Sequence, residues 1–205
     1  MSGKIGPKCR QCRRLGVKLF LKGERCFTHA CPLERKGAIP PGMHGKRFSR
    51  PSSYKDQLTE KQKLKVSYGL SERQLKRYFE TARRGKEETD FILFQLLESR
   101  LDSVVFRLKF TPNRRAARQL ISHGHVLVDG KKVQVASYRV KVGQTIALDK
   151  EALKIPAVAK AMEEKEEPFP WLKRQALVGK LERLPAKEEV DAPADVLQII
   201  ESYSR

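Results

Sequence analysis

Long apolar runs are missing from this 205-residue sequence, and acidic residues are far fewer than basic ones. The longest apolar stretch, around residues 91–97, is far shorter than the roughly 20 residues that a membrane helix needs. No apolar segment follows the first residues, so we expect no secretory signal. Cysteine is absent after Cys31. A hydrophobic content of 40% is nevertheless too high for a wholly disordered chain and predicts one or two folded domains.

Positive charge dominates the polar residues. Lys and Arg number 43 against 24 Asp and Glu, which gives a formal net charge of +19. Residues 1–50 carry 13 basic and 2 acidic side chains, and residues 101–150 carry 10 and 3, whereas residues 151–205 are slightly acidic. This charge favours a polyanionic partner, either nucleic acid or an acidic membrane. The basic segments lack an exposed apolar stripe with Trp or Phe, which argues against the membrane.

All four cysteines lie in the first 31 residues, as the pairs Cys9-x2-Cys12 and Cys26-x4-Cys31. Two close pairs joined by a short loop can bring four thiolates to one tetrahedral ion, and the neighbouring basic residues favour thiolates. We therefore expect these cysteines to hold one structural Zn²⁺, with zinc favoured over an iron–sulfur cluster. His29 lies inside the second pair as a substitute ligand. The alternatives are unligated thiols or two disulfides, and without a secretory signal disulfides are disfavoured.

The segment that follows the cysteines is predicted to be a basic loop that leads into helices. Proline and glycine in residues 39–45 predict a rigid turn, and Arg47 and Arg50 come directly after it. Such a segment has cations and backbone N–H groups but little to bury, which suits contact with a phosphate backbone. Capping-box patterns at Thr59 and Ser71 predict the starts of two helices.

Residues 90–149 are predicted to form a compact unit with two helices. The spacing of apolar residues predicts one long helix from Asp90 to Leu108. Thr111, as an N-cap before Pro112, predicts the start of a second helix, which Gly124 would end. We expect the second helix to pack on the first through its apolar side and to point three arginines outward. These are Arg114, Arg115 and Arg118.

A small antiparallel sheet is predicted to follow these helices. Asp129-Gly130 is a dipeptide suited to a tight hairpin turn, and alternation predicts further strands at residues 138–142 and 146–148. A basic rim would then combine the three arginines with cations of the sheet, namely Lys131, Lys132, Arg139 and Lys141. Ordered cations of this kind fit phosphate binding. RNA is favoured over DNA because no helix is clearly built to read bases in a major groove.

Several motifs resemble one family. The run Arg114-x-Ala116-x-Arg118-Gln119-Leu120-Ile121, with Gly124-His125-Val126-x-Val128-Asp129-Gly130-Lys131, resembles the RNA-binding module named after ribosomal protein S-four. Pro40-Pro41-Gly42-x-His44-Gly45, Glu60-Lys61-Gln62-Lys63-Leu64 and Leu97-Glu98-Ser99-Arg100-Leu101-Asp102 extend the resemblance to the universal S-four family of bacterial small-subunit ribosomal proteins. The four cysteines resemble the zinc-binding variant of that family.

The resemblance implies an α+β fold in four segments. Residues 1–50 would be a basic zinc-binding extension, and residues 51–92 a helical domain that binds ribosomal RNA. Residues 93–150 would form the S-four-type RNA-binding module, with two helices packed on a small antiparallel sheet. Residues 151–205 would pack back on the body as a C-terminal segment.

The resemblance also implies a function in the cytoplasmic ribosome. The protein would be a structural constituent of the small (30S) subunit and a primary binder of 16S ribosomal RNA that nucleates assembly of the subunit body. It would contact ribosomal protein S-five and other small-subunit proteins, lie near the messenger RNA, contribute to translational accuracy, and bind no small-molecule substrate. Tyr54, Lys61 and Lys63 would join the cations named above as RNA-binding residues.

Two rival functions stay open. Arg100-Leu101-Asp102 resembles the tripeptide with the catalytic aspartate of pseudouridine synthases. Only 56 residues follow Asp149, too few for the large catalytic domain of those enzymes, so we expect Asp102 to be a helix-surface carboxylate and the protein not to be an enzyme. A free RNA-binding chaperone is the second rival, and co-sedimentation with small subunits through a high-salt wash would distinguish it.

Overall fold

The structure, a computed structural model, describes residues 6–43, 52–163, 167–190 and 193–204. Two units make up the chain: unit 1 comprises residues 1–93 and 191–205, and unit 2 comprises residues 94–190. The four predicted segments are thus grouped in two, with residues 151–190 in unit 2 and the end of the chain in unit 1. The predicted α+β class is confirmed.

The elements of the described residues follow one another in this order. The helices are α1 (Lys8–Leu15), α2 (Pro32–Lys36), α3 (Ser53–Ser67), α4 (Glu72–Arg83), α5 (Thr89–Glu98), α6 (Leu101–Arg107), α7 (Arg114–Ser122), α8 (Pro156–Glu163) and α9 (Val196–Ser204). The strands are β1 (Val126–Val128), β2 (Lys131–Lys132), β3 (Thr145–Leu148), β4 (Leu172–Gln175) and β5 (Val178–Leu181). Single 3-10 turns cover Gly23–Cys26, Lys150–Lys154 and Lys187–Glu189.

The starts of α3 and α4 are set by serine caps. The Ser71 hydroxyl accepts the Gln74 N–H at 3.3 Å while the Gln74 side chain accepts the Ser71 N–H at 3.0 Å, so the capping box predicted there is confirmed. The helix start predicted at Thr59 is wrong. Ser52 caps α3 by accepting the Lys55 N–H, and Thr59 lies inside the helix with its hydroxyl donating to the Lys55 carbonyl at 2.8 Å.

Unit 1 buries the apolar faces of α3, α4 and α9. Leu64 of α3, Leu75 of α4 and Ile199 of α9 are each 0% exposed. Phe79 of α4 stacks on Tyr203 of α9 with 4.9 Å between ring centroids. The chain end is therefore fixed to the helices that precede unit 2 in sequence.

The sheet of unit 2 has the strand order β2-β1-β3-β5-β4, and every neighbouring pair is antiparallel. The predicted hairpin is confirmed: Asp129 and Gly130 have φ angles of 48° and 77°, the left-handed conformation that a tight two-residue turn requires. The strand predicted at residues 146–148 is also present, within β3. Two further strands, β4 and β5, come from the segment after residue 150, for which the sequence pattern predicted no strand.

The predicted long helix from Asp90 to Leu108 is wrong, because the backbone turns between α5 and α6. Arg100 there is extended, with φ −67° and ψ 141°. The strand predicted at residues 138–142 is wrong for a related reason. The Leu101 N–H donates to the Tyr138 carbonyl and the Val140 N–H to the Ser99 carbonyl, both at 2.8 Å, so this segment pairs with the α5–α6 junction instead of the sheet.

Helix α7 begins two residues later than predicted. Asn113, not Thr111, is the N-cap, and its side chain accepts the Ala116 N–H at 3.0 Å. Gly124 follows the helix with φ +79°, so the predicted stop is confirmed. The apolar side of α7 faces the core of unit 2, where Ile121 and Ala117 are buried, and α7 packs on α6.

Candidate nucleic-acid interface and cysteine cluster

Four exposed cations follow the first strand of the sheet. Lys131 and Lys132 form β2 at the edge of the sheet, and Arg139 and Lys141 lie in the segment that leads to β3. All four side chains are exposed, and none makes an ion pair or a side-chain hydrogen bond with a described residue. Their charges are therefore available to an external anion.

Two of the three α7 arginines differ from the prediction. Arg114 and Arg118 do not extend freely outward, because each is bound by a carboxylate. Arg114 Nη2 donates to Glu98 Oε1 at 2.9 Å, and Arg118 Nε donates to Asp102 Oδ2 at 3.1 Å. The Arg114 side chain is 13% exposed and the Arg118 side chain is 29% exposed. Arg115 is half-buried and has no ion pair with a described residue.

The two carboxylates lie inside unit 2. Asp102, predicted to lie on a helix surface, is instead 1% exposed, and the Glu98 side chain is 0% exposed. A second arginine binds each of them through two N–H groups. Arg107 donates to Glu98 at 3.0 and 2.8 Å, and Arg100 donates to Asp102 at 3.0 and 2.8 Å. Two buried anions are thus each shared by two guanidinium groups.

The predicted RNA-binding residues of unit 1 differ in exposure and in ion pairing. Tyr54 is 69% exposed. Lys61 and Lys63 are largely covered and form ion pairs, Lys61 with Glu72 at 3.0 Å and Lys63 with Glu60. Their charges are therefore partly neutralised within the unit. Arg47 and Arg50 lie outside the described residues.

A basic stripe on α4 and its C-cap residue was not predicted from the sequence. Its residues are all exposed and have no ion pair with a described residue; they are Arg73, Lys76, Arg77, Arg83 and Arg84. Their spacing of three, four and seven places them within about a third of the helix circumference, opposite the buried apolar residues of α4. Helical spacing of the basic residues in the sequence would have been enough to predict this stripe.

The four cysteines surround one small cavity in unit 1. Cys9 and Cys12 lie on α1, Cys26 ends a 3-10 turn and Cys31 is the N-cap of α2. The cavity measures about 20 Å³, and Lys8 and Lys22 also line it. His29 is exposed and does not line it.

The chemistry of this cluster fits a thiophilic cation. Burial raises the pKa of the Cys12 thiol, and the three other cysteines raise it further, because thiolates crowded together repel one another. A metal cation at the centre of the cluster would attract the thiolates and so offset their mutual repulsion. No three of the four cysteine sulfur atoms lie within 4.8 Å of one another, so they are farther apart than thiolates bound to a single Zn²⁺. Among the described residues, the ligand atoms that lie within 4.8 Å of one another are those of His125, Asp149 and Glu151.

These features define a class of protein: a basic α+β chain that presents cations on ordered elements to a polyanion such as RNA. Within the described part of the chain, no helix is both long and apolar enough to cross a membrane.

Comparison with known proteins identifies the family. A family model described as the ribosomal protein S4/S9 N-terminal domain matches residues 4–98, and the S4 domain model matches residues 99–146. The chain is 46% identical over 210 residues to small ribosomal subunit protein uS4 of Thermus thermophilus, and 47% identical over 210 residues to that of Kosmotoga olearia. Both alignments cover 100% of each chain. This chain therefore belongs to the uS4 family of ribosomal proteins, whose members are structural and not enzymes.

Proposed function

We propose that the protein is a structural constituent of the small ribosomal subunit that binds 16S ribosomal RNA. The proposal is supported by the full-length similarity to uS4 proteins and by a set of cations that have no internal partner among the described residues. At the finer level, the protein is a primary RNA binder that nucleates assembly of the subunit body in the cytoplasm. It lies near the messenger RNA, contacts ribosomal protein S-five and other small-subunit proteins, and contributes to translational accuracy.

The observation that carries the proposal is the group of exposed cations beside the hairpin. Lys131, Lys132, Arg139 and Lys141 are ordered by the sheet or by the segment that pairs with the α5–α6 junction. A cation held in place without an internal counter-charge releases counterions from RNA when it meets a phosphate. Arg115 and the exposed stripe on α4 extend the same chemistry to two more helices.

Neutralising the hairpin cations tests this proposal. Lys131→Gln, Lys132→Gln, Arg139→Gln and Lys141→Gln are combined in the full chain, and filter binding to small-subunit RNA is measured at several salt concentrations. We expect weaker binding, and a slope of log affinity against log salt that falls by about 0.7–0.9 for each RNA phosphate that the variant no longer neutralises. The fold should be unaffected because the four side chains are exposed and unpaired among the described residues.

The control is the pair Lys150→Gln and Lys154→Gln, two exposed lysines of the same unit outside the proposed surface. It should change the slope less for each charge removed. The proposal fails if the hairpin variant keeps the wild-type slope, or if the wild-type chain prefers small-subunit RNA no more than heparin. Loss of the protein from small subunits in a high-salt wash would favour a free RNA chaperone instead.

The cysteine cluster is proposed to hold one structural Zn²⁺. Cys9, Cys12, Cys26 and Cys31 supply four soft sulfur donors around one cavity, the set that zinc takes in closed structural sites. Four sulfurs leave no open position for a water, so the ion would stabilise the fold and perform no chemistry. Lys8 and Lys22 would offset the negative charge of the loaded centre.

A further inference from the structure

We infer that Glu98 and Asp102 are positioning residues for RNA binding, which hold Arg114 and Arg118 in the orientation that meets the RNA backbone. The inference rests on the proposed RNA-binding function and adds two acidic residues that touch no RNA themselves. Charge alone would predict that these carboxylates weaken RNA binding, because carboxylates repel phosphate.

The first support is a matched spacing on two elements. Glu98 ends α5 and Asp102 lies in the first turn of α6, four positions apart in sequence. Arg114 and Arg118 lie four positions apart on α7, one turn from each other. Each arginine binds one carboxylate, at 2.9 Å and 3.1 Å. Two successive turns of α7 are therefore fixed to the α5–α6 junction by ion pairs.

The second support is that the fold already has partners for both carboxylates. Arg107 and Arg100 each bind one of them through two N–H groups and are 5% and 3% exposed. One arginine bound through two N–H groups offsets the charge of a buried carboxylate and leaves oxygen lone pairs that can accept further hydrogen bonds. Arg114 and Arg118 are second partners of these carboxylates, and their own side chains stay 13% and 29% exposed. An RNA phosphate is an anion that such partly exposed and already oriented guanidinium groups can bind.

The third support is that further contacts restrain the two arginines. Arg114 Nε donates to Ser103 Oγ at 3.3 Å, and its guanidinium group lies 4.9 Å from the centre of the Phe106 ring. Arg118 uses Nε and Nη2 on the same Asp102 oxygen and remains 29% exposed. A guanidinium group held in this way loses less conformational entropy when it binds phosphate than a mobile side chain does.

The test is whether removing the Asp102 charge weakens or strengthens RNA binding. Asp102→Asn raises the net charge of the chain by one, so charge alone predicts equal or tighter RNA binding. Positioning predicts weaker binding, and we expect about a fivefold loss of affinity, the size typical of a coupled pair. Glu151→Gln, at an exposed position of the same unit, makes the same charge change and should not weaken binding.

A double-mutant cycle separates positioning from a general loss of structure. In an Arg118→Gln background, in which Asp102 keeps Arg100 as its partner, Asp102→Asn should cost less than about twofold in affinity, because the arginine it acts through is gone. Val104→Ala, at a buried α6 position among apolar residues, controls for destabilisation. All variants are assayed at a temperature where circular dichroism shows them folded.

Arg118→Lys keeps the test decisive if Asp102→Asn does not fold. Lysine retains the charge and loses the planar two-donor geometry, so positioning predicts weaker binding and charge alone predicts no change. The inference is overturned if Asp102→Asn or Arg118→Lys binds as tightly as wild type, if Asp102→Asn costs the same in both backgrounds, or if Val104→Ala weakens binding equally. If the wild-type chain prefers small-subunit RNA no more than heparin, the proposed function itself fails, which is a separate result.

Discussion

At the residue scale, close packing around Leu108 decides which side chain position 179 can hold. Gly179 lies in β5 opposite Ile146 of β3, and Leu108 is 0% exposed in the core of unit 2. A Cβ atom at position 179 would lie 2.5 and 2.6 Å from the two methyl carbons of Leu108 and 3.1 Å from its Cγ. Since the leucine is enclosed on all sides, it has no space into which to withdraw.

Gly179→Ala should therefore destabilise unit 2 by about 1–3 kcal/mol, the usual cost of overpacking a core. Urea denaturation of the full chain measures this change. Gly6→Ala is the control, because an added Cβ there meets no atom within 4 Å, and it should stay within about 0.5 kcal/mol of wild type. Leu108→Ala should cost less in the Gly179→Ala background than in wild type; strict additivity of the two changes would argue against the contact.

At the element scale, Tyr203 joins the C-terminal helix α9 to both α3 and α4. The Tyr203 hydroxyl donates to Glu72 Oε1 at 2.9 Å, and Lys61 Nζ lies 5.1 Å from the centre of the Tyr203 ring. Burial, and then the bond to Glu72, raise the pKa of Tyr203. Because folding raises this pKa, the stabilisation is complete below the ordinary value of about 10 and is lost only as the pH rises through the folded-state value.

Tyr203→Phe removes this hydrogen bond and leaves the ring that stacks on Phe79. We expect the free energy of unfolding to fall by about 1 kcal/mol at neutral pH, because one hydrogen bond is lost while Glu72 keeps its ion pairs with Lys61 and Lys65. Thermal unfolding followed by circular dichroism provides the measurement. Tyr54→Phe makes the same chemical change at an exposed side chain and should leave the midpoint unchanged; a similar decrease in both variants would contradict the assignment.

At the scale of the whole molecule, the proposed zinc site and the sheet belong to different units. The cysteine cluster packs with Val66 of α3 through Cys12, Leu19 and Leu21, so it is continuous with the helices of unit 1. Few large apolar residues surround it, so its folding should depend on the ion. The core of unit 2, which includes the sole tryptophan, Trp171, contains no cysteine.

Removal of zinc should therefore loosen unit 1 at its amino end and leave unit 2 intact. After chelation, amide hydrogen exchange in residues 8–32 should become at least about tenfold faster. This corresponds to a free energy of local opening that is lower by about 1.4 kcal/mol. The change near Val66 should be smaller. Amides of β1 and β3 serve as the internal control and should keep their protection. Unchanged exchange in residues 8–32 on metal removal, or metal analysis that finds no zinc in the purified chain, would refute the structural ion.

Several features could be predicted from the sequence alone because they depend on local chemistry. The cysteine pairs, the Ser71 capping box, the Asp129-Gly130 turn and the stop at Gly124 each depend on residues within a few positions of one another, and the structure has the last three where they were predicted. The net charge and its distribution along the chain follow from the sequence and predicted a polyanionic partner.

Tertiary structure decided the features that depend on distant partners. The break between α5 and α6 follows from backbone pairing with residues 138–140, and β4 and β5 join a sheet whose first strand ends much earlier in the chain, at Val128. The largest difference concerns Arg114 and Arg118. Sequence periodicity located them on the outer side of a helix, but a guanidinium group binds whichever carboxylate the fold brings near. Only the packing of α7 on α6 shows that these two are shared with buried acids while the hairpin cations remain available to an external anion.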